Sequence, residues 1–139
     1  MKRFILFSCF TLVSCFSFSQ TQRFQLFEEF TCENNNLCAA YNPNLNTLLN
    51  ANTSKIIALK YHTPLPTPGA LHYKDSADVN DRMAFYNISY SPQGIHDGNQ
   101  FNDTVNYFTQ TMVNNRYAVT SPFAITLSHY LSAGGDSVY

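Results

Sequence analysis

Residues 27–61 read FEEFTCENNNLCAAYNPNLNTLLNANTSKIIALKY, and three local patterns succeed one another there. Phe27 and Phe30 close an aromatic-rich run, residues 23–30, that reads as a first strand. Polar residues 31–36 break it. From Leu37, apolar side chains recur at helical spacing through Tyr41, Leu45, Leu48 and Leu49, so a helix is expected. Pro43 lies inside that pattern and is expected to kink the helix, because it removes an i→i−4 bond. Polar residues 50–54 end it. Residues 55–61 (KIIALKY) form a short apolar run, which predicts a central strand covered on both faces.

Downstream, residues 63–69 hold three prolines and a glycine and read as a stiff loop. Ser76 or Asp78 can cap a helix running to Tyr86. Residues 90–99 contain Asp97-Gly98, a two-residue hairpin signal, with a short strand on each side. Asp103 is expected to cap a further helix carrying Val105, Phe108 and Met112 on one stripe. The order β-α-β, α, β-hairpin, α predicts an α/β sandwich with helices on both faces of a sheet. After Ala118 the character changes. Phe123, Ile125, Leu127 and His129 alternate with smaller residues as in a half-buried strand, and Gly134-Gly135-Asp136 makes a turn. A return of three residues cannot satisfy so long a strand, so residues 118–139 read as the start of a second, all-β domain of a longer protein.

Upstream, Lys2 and Arg3 precede the apolar run 4–13, and small and polar residues follow through Ser19. This is the pattern of a secretory signal peptide, residues 1–19, with a cut that leaves Gln20 first. The run is too short to span a membrane, which takes about 20 apolar residues. Leu12-Val13-Ser14-Cys15 also has the form of a lipobox, in which Cys15 carries lipid. The destination is the periplasm, the outer-membrane surface or the exterior. Export removes Cys9 and leaves Cys32 and Cys38, an even pair for which an oxidising compartment predicts a disulfide.

Composition narrows the function classes. The chain has 139 residues, and its eight Lys+Arg against nine Asp+Glu leave no cationic surplus for nucleic acid. Charged residues are 12% of the chain, about half the typical ~25%, which argues against a coiled coil. Twelve Phe and nine Tyr supply apolar bulk for a core. No nucleotide, hydrolase or calcium-loop motif is present, and Asp75, Asp78 and Asp81 lack the glycine and terminal glutamate of a calcium loop. His62, His72, His96 and His129 lie in four separate elements, so no metal or cofactor is expected. Asn52, Asn87 and Asn102 open three glycosylation sequons, which a bacterial source would leave unused.

Glu28-Glu29-Phe30-Thr31, Ala39-Ala40-Tyr41-Asn42-Pro43, Ala58-Leu59-Lys60-Tyr61 and Ser91-Pro92-Gln93-Gly94-Ile95-His96-Asp97-Gly98-Asn99 occur in that order. In this succession the chain, from about residue 24 onward, resembles secreted thioredoxin-like proteins of Gram-negative bacteria with type IX secretion, an outer-membrane-protein-related family. The resemblance implies a thioredoxin-like three-layer sandwich over residues 20–117, a cis-proline at Pro92, and a C-x-x-C site at the start of the first helix. Cys38 takes the second, resolving position of that site, and the first, nucleophilic position is Asn35. Asparagine caps a helix but cannot attack a disulfide.

Cys32 leaves three readings open, one of them two free thiols held apart by the loop, which an oxidising compartment disfavours. It can bridge Cys38 as a structural staple, since five intervening residues allow the ~4.4–6.8 Å Cα separation required. Alternatively Cys32 and Cys38 are the catalytic pair of an oxidoreductase or isomerase. Cys32 sits too early to gain much from the helix dipole. Glu28 and Glu29, adjacent on a strand, face opposite ways and form no acid–base pair. Tyr61, His62, Pro64, Pro66 and Pro68 flank the region where thioredoxin folds dock extended peptide by strand addition. An exported binding or scaffolding module, its partner an extended peptide or another envelope protein, is therefore expected.

Overall fold

The computed structural model describes residues 20–126 together with Ser128 and Gly134. Residues 1–19, which read as a signal peptide and include Cys15, and His129 with most of the tail, lie outside the described residues. The described residues fall in two units, residues 23–119 and residues 20–22 with 120–126. In the second unit, Thr21 and Ser121 exchange N–H···O bonds of 2.8 Å each in an isolated antiparallel bridge. Of the strand expected over residues 121–129, residues 122–126 show no ladder.

The first unit is α/β. Its elements are β1 (Gln25–Thr31), α1 (Asn36–Asn50), β2 (Ile56–His62), α2 (Ser76–Tyr86), β3 (Gln93–His96), β4 (Phe101–Thr104) and α3 (Gln110–Tyr117). Short 3-10 turns at His72–Lys74 and Val105–Tyr107 precede α2 and α3. The sheet order is β2-β1-β3-β4. β1 pairs parallel with β2 and antiparallel with β3, and β3 pairs antiparallel with β4.

Alternation along β1 divides the core in two. Phe27 faces α1 and α3, where it packs with Leu45, Leu49, Phe101, Val105, Phe108 and Val113. Phe30 faces α2, with Ile88 and Ile95 and the partly buried Tyr61, Met83 and Tyr86. Helices therefore cover both faces of the sheet. Among the described residues, no helix is long and apolar enough to cross a membrane.

Several expectations are corrected. β2 is an edge strand rather than a central one. Its burial is that of an edge too, with Ile57 55% and Leu59 43% exposed. An apolar run reports burial demand but not strand order, and β1 takes the centre. α2 starts after Asp75 rather than at a Ser76 or Asp78 cap, and Asp75 makes no side-chain cap bond. The hairpin loop has four residues, since His96 pairs with Phe101. Asp97 and Gly98 both take positive φ within it (45° and 79°). Asp103 caps no helix. It lies in β4, and Thr109 caps α3 by accepting from the Met112 N–H at 3.4 Å. Val113, not Met112, is the buried residue of that helix.

Asp97 ties the hairpin to β1 and α3. Its Oδ1 accepts from the Leu26 N–H at 2.9 Å, and its Oδ2 meets Arg116 at 2.6 Å and Arg23 at 2.9 Å. Burial alone raises its pKa, but the Arg116 bond, the Leu26 N–H and the Arg23 charge together bring it below the ordinary value. His96 is buried, which pushes its imidazole below the usual value, and it bonds Gln25 Oε1 at 2.7 Å. Gln25 in turn donates to Val113 O at 3.1 Å.

Gly94 marks the tightest point of the core. A Cβ there would lie 2.6 Å from Phe27 Cζ and 3.2 Å from Phe101 Cε1. Phe27 is fully buried and packs on Phe108 with ring centroids 4.4 Å apart, so it has little room to yield. Gly94→Ala is expected to destabilise the chain by about 1–3 kcal/mol, the usual range for overpacking. A lower urea midpoint at unchanged slope is the expected reading.

Candidate functional site

β1 ends at Thr31, and the chain turns through residues 32–35 into α1, so the residues of interest gather where two elements meet. Asn35 is the N-cap of α1, in extended conformation (φ −133°, ψ 116°). Its Oδ1 accepts from the Leu37 N–H at 2.8 Å, and its Nδ2 donates to Ser91 O at 2.7 Å. One side chain thus starts the helix and ties it to the residue before Pro92. The Ser91–Pro92 peptide bond is cis, as is Leu65–Pro66. Ser91 Oγ lies 2.6 Å from Thr63 Oγ1, and the Thr63 N–H donates to Thr31 O at 2.7 Å. The end of β2 and the segment entering β3 are therefore tied to the end of β1, against the helix start.

Both cysteines are buried beneath this surface, Cys32 3% and Cys38 2% exposed. The expected Cys32–Cys38 disulfide is not formed; both are free thiols in this structure. The Cys32 N–H donates to Cys38 Sγ at 3.3 Å, so a backbone donor occupies the approach to that sulfur. Cys32 Sγ instead points to the proline-rich loop, donating to Thr67 O at 3.2 Å and accepting from the Asn34 N–H at 3.4 Å. Asn34 Nδ2 donates to Pro68 O at 3.2 Å, and the Leu71 N–H donates to Glu33 Oε1 at 2.7 Å. This loop closes over Cys32, so an exposed nucleophile at that position is not what the geometry presents.

The paired glutamates face opposite ways, each to a cation that sequence reasoning missed. Glu28 turns toward α2, where Arg82 Nε and Nη2 reach its two oxygens at 2.7 and 2.8 Å. Tyr86 and Tyr61 donate to it at 2.7 and 3.1 Å. Burial works to raise the Glu28 pKa, but the Arg82 and Tyr86 bonds, the Arg82 charge and the Tyr61 bond outweigh it and hold the carboxyl below its ordinary value. Glu29, fully buried, turns to the α1 face and is ion-paired with Lys60 of β2. A carboxylate in a central strand needs a cation. With so few Lys and Arg in the chain, that rule alone narrows the partners to a handful.

A cavity of about 370 Å³ lies between α1 and β2, with Thr31, Cys38, Asn42, Lys60 and His62 in its walls. His72 is placed apart from His62's ring, its Nδ1 2.9 Å from His62 O, and His96 lies across the sheet in the Phe27 core. Among the described residues, no three His, Cys, Asp or Glu side chains converge on a metal position. No family model matches the chain, and no curated protein or solved structure matches it.

Proposed function

We propose that residues 23–119 form a thioredoxin-like module, in an exported protein, that has lost the nucleophile of the dithiol site and works by binding or scaffolding. The β2-β1-β3-β4 order, with one parallel and two antiparallel pairings and helices on both faces, supports the fold part of this reading. Export rests on the leader pattern of residues 1–19, and the type IX context on the resemblance.

The observation that carries the functional part is Asn35. It stands at the helix N-terminus, where the dipole and free N–H groups would stabilise a thiolate, and both ends of its amide are already bonded. An amide there forms no mixed disulfide. The test is insulin reduction with dithiothreitol as the recycling reductant. The chain is expected to add nothing to the dithiothreitol rate. Turnover that disappears in Cys32→Ser would overturn the reading.

One observation favours a second reading, a thiol-disulfide oxidoreductase or isomerase using Cys32 and Cys38. Both thiols border the same cavity, with Cys38 Sγ 3.3 Å from the Cys32 nitrogen. That enzyme needs Cys32 to leave Thr67 O and reach solvent, which the insulin assay would register as Cys32-dependent turnover.

A further inference from the structure

β2 is the outer strand of the sheet. The Gln25 N–H donates to Lys55 O at 2.9 Å and the Thr63 N–H to Thr31 O at 2.7 Å, which sets the phase of the parallel ladder. In that phase residues 57, 59 and 61 turn their backbone groups to β1, and residues 56, 58, 60 and 62 turn theirs outward. Two outward groups are closed within the chain: the Ile56 N–H donates to Asn52 O at 2.9 Å, and His62 O meets His72 Nδ1 at 2.9 Å. The Ile56 carbonyl, both groups of Ala58 and Lys60, and the His62 N–H remain without a protein partner among the described residues. Proteins blunt such an edge with proline, a bulge or a free charge, lysine above all. β2 has no proline, and its lysine is drawn inward, to Glu29 and to Asn46 Oδ1 at 2.7 Å.

The cavity of about 370 Å³ runs beside this edge on the α1 side. A strand added to β2 would point alternate side chains toward it. Asn42 Oδ1 and His62 Nδ1 are buried there with no hydrogen-bond partner. Lys60 is matched by the buried Glu29, which leaves Glu33 as the unmatched charge in the cavity wall. The free Asn42 acceptor and the Glu33 carboxylate, whose Oε1 also takes the Leu71 N–H, call for a cationic donor.

We propose that the open edge of β2 and its cavity bind an extended segment of a partner protein as a fifth strand, with a lysine or arginine of that segment in the cavity. Backbone pairing supplies the affinity and the side pocket the selectivity. A second copy pairing through β2 is the weaker occupant. The cation it brings on that strand is Lys60, already held by Glu29 and Asn46 of its own chain. The proposal gives the binding-module reading a surface and a ligand chemistry. It does not depend on the loss of the nucleophile at Asn35, so the insulin assay and the experiment below fail separately.

The probe is the heptapeptide acetyl-TVTKTVT-amide, with acetyl-TVTETVT-amide as its control, added to the whole chain and read by amide hydrogen exchange. Without peptide, the Ala58 and Lys60 amides are expected to exchange rapidly while Leu59 and Tyr61 are protected. The lysine peptide is expected to slow Ala58 and Lys60 by roughly tenfold or more, and the glutamate peptide to leave them unchanged. Ala58→Pro removes an outward N–H and no ladder bond, so it is expected to abolish that protection with the far-ultraviolet circular dichroism intact. Asn42→Leu, which leaves the edge untouched, is expected to weaken the lysine peptide and decides the matter if Ala58→Pro does not fold. Three results would overturn the proposal: protection of Ala58 and Lys60 in the free chain together with a dimer in sedimentation, protection appearing beside Pro92 instead, or no slowing by the lysine peptide.

Discussion

Asn35→Cys is expected to turn a chain inert toward insulin into one that reduces it. The N-cap position is already built for a thiolate: it opens a helix of 15 residues whose first turn carries no acidic side chain. The dipole and the unpaired N–H groups of that turn favour a negative charge at the cap. They lower the pKa of a thiol placed there and raise its thiolate fraction at pH 7 by about tenfold over an ordinary cysteine. Cys38 lies three residues on, one turn into the helix, and can resolve the mixed disulfide. The introduced thiolate attacks an insulin disulfide and releases one insulin thiol. Cys38 then attacks the mixed disulfide and releases the second, and the 35–38 disulfide so formed is returned to two thiols by dithiothreitol. The substitution also removes the bonds to the Leu37 N–H and to Ser91 O, so a stability loss of about 1 kcal/mol is expected alongside the gain in activity. The turbidity rate of insulin, in Asn35→Cys and in Asn35→Cys with Cys38→Ser, checks both steps. A folded Asn35→Cys chain that stays at the dithiothreitol background would show that the helix start is not a vacated redox position, and with it the functional reading would fall.

What the sequence discloses about this fold is local. Phe27 and Phe30 with the helical spacing from Leu37 to Leu49 mark β1 and α1, because those patterns depend on neighbours a few residues away. The asparagine before that helix is legible for the same reason. Strand order is different in kind. KIIALKY reads as central because residues 56–59 are apolar without alternation, yet its place at the edge is set by the pairing of β1 with β3, some 65 residues further on. The stripe Val105, Phe108, Met112 has helical spacing, but the chain takes a 3-10 turn and breaks at Phe108, so the buried position moves to Val113. At the candidate site, the spacing of Cys32 and Cys38 foretells their proximity. It does not foretell that the proline-rich loop takes Cys32 Sγ as a donor to Thr67 O. Glu28 and Arg82 are 54 residues apart, and nothing periodic connects them. Long-range polar pairs of this kind are found from the demand that a buried charge be matched, not from pattern.

The second large effect is expected at that pair. Arg82→Met is expected to cost about 3 kcal/mol at pH 7, the lower end of the usual range for removing one partner of a buried ion pair. The lower end applies because the Arg82 side chain is 33% exposed and water can reach what the substitution leaves. Glu28 would keep its bonds from Tyr86 and Tyr61 but lose both guanidinium bonds. Burial beside Glu28 pushes the Tyr86 hydroxyl up to about 12, so it remains a donor across the working range. The pH dependence follows from the sign of the Glu28 shift. Its folded pKa lies below its unfolded one, so the stabilisation is present above the unfolded carboxylate range, about 4.3, and is lost as pH falls through the folded value. Without Arg82, burial acts with less opposition, and the carboxyl takes up a proton at higher pH than in the parent. The deficit of Arg82→Met is therefore expected to be largest at pH 7 and to narrow toward pH 4. Glu28→Gln combined with Arg82→Met removes the stranded charge and is expected to recover much of the loss at pH 7. Urea midpoints of the three chains at pH 7, 5.5 and 4 read all of this. A deficit that is equal at every pH, and not relieved in the double substitution, would mean that Arg82 contributes by packing on Phe85 and Tyr86, whose rings its guanidinium approaches at 5.0 and 4.6 Å, rather than by matching Glu28.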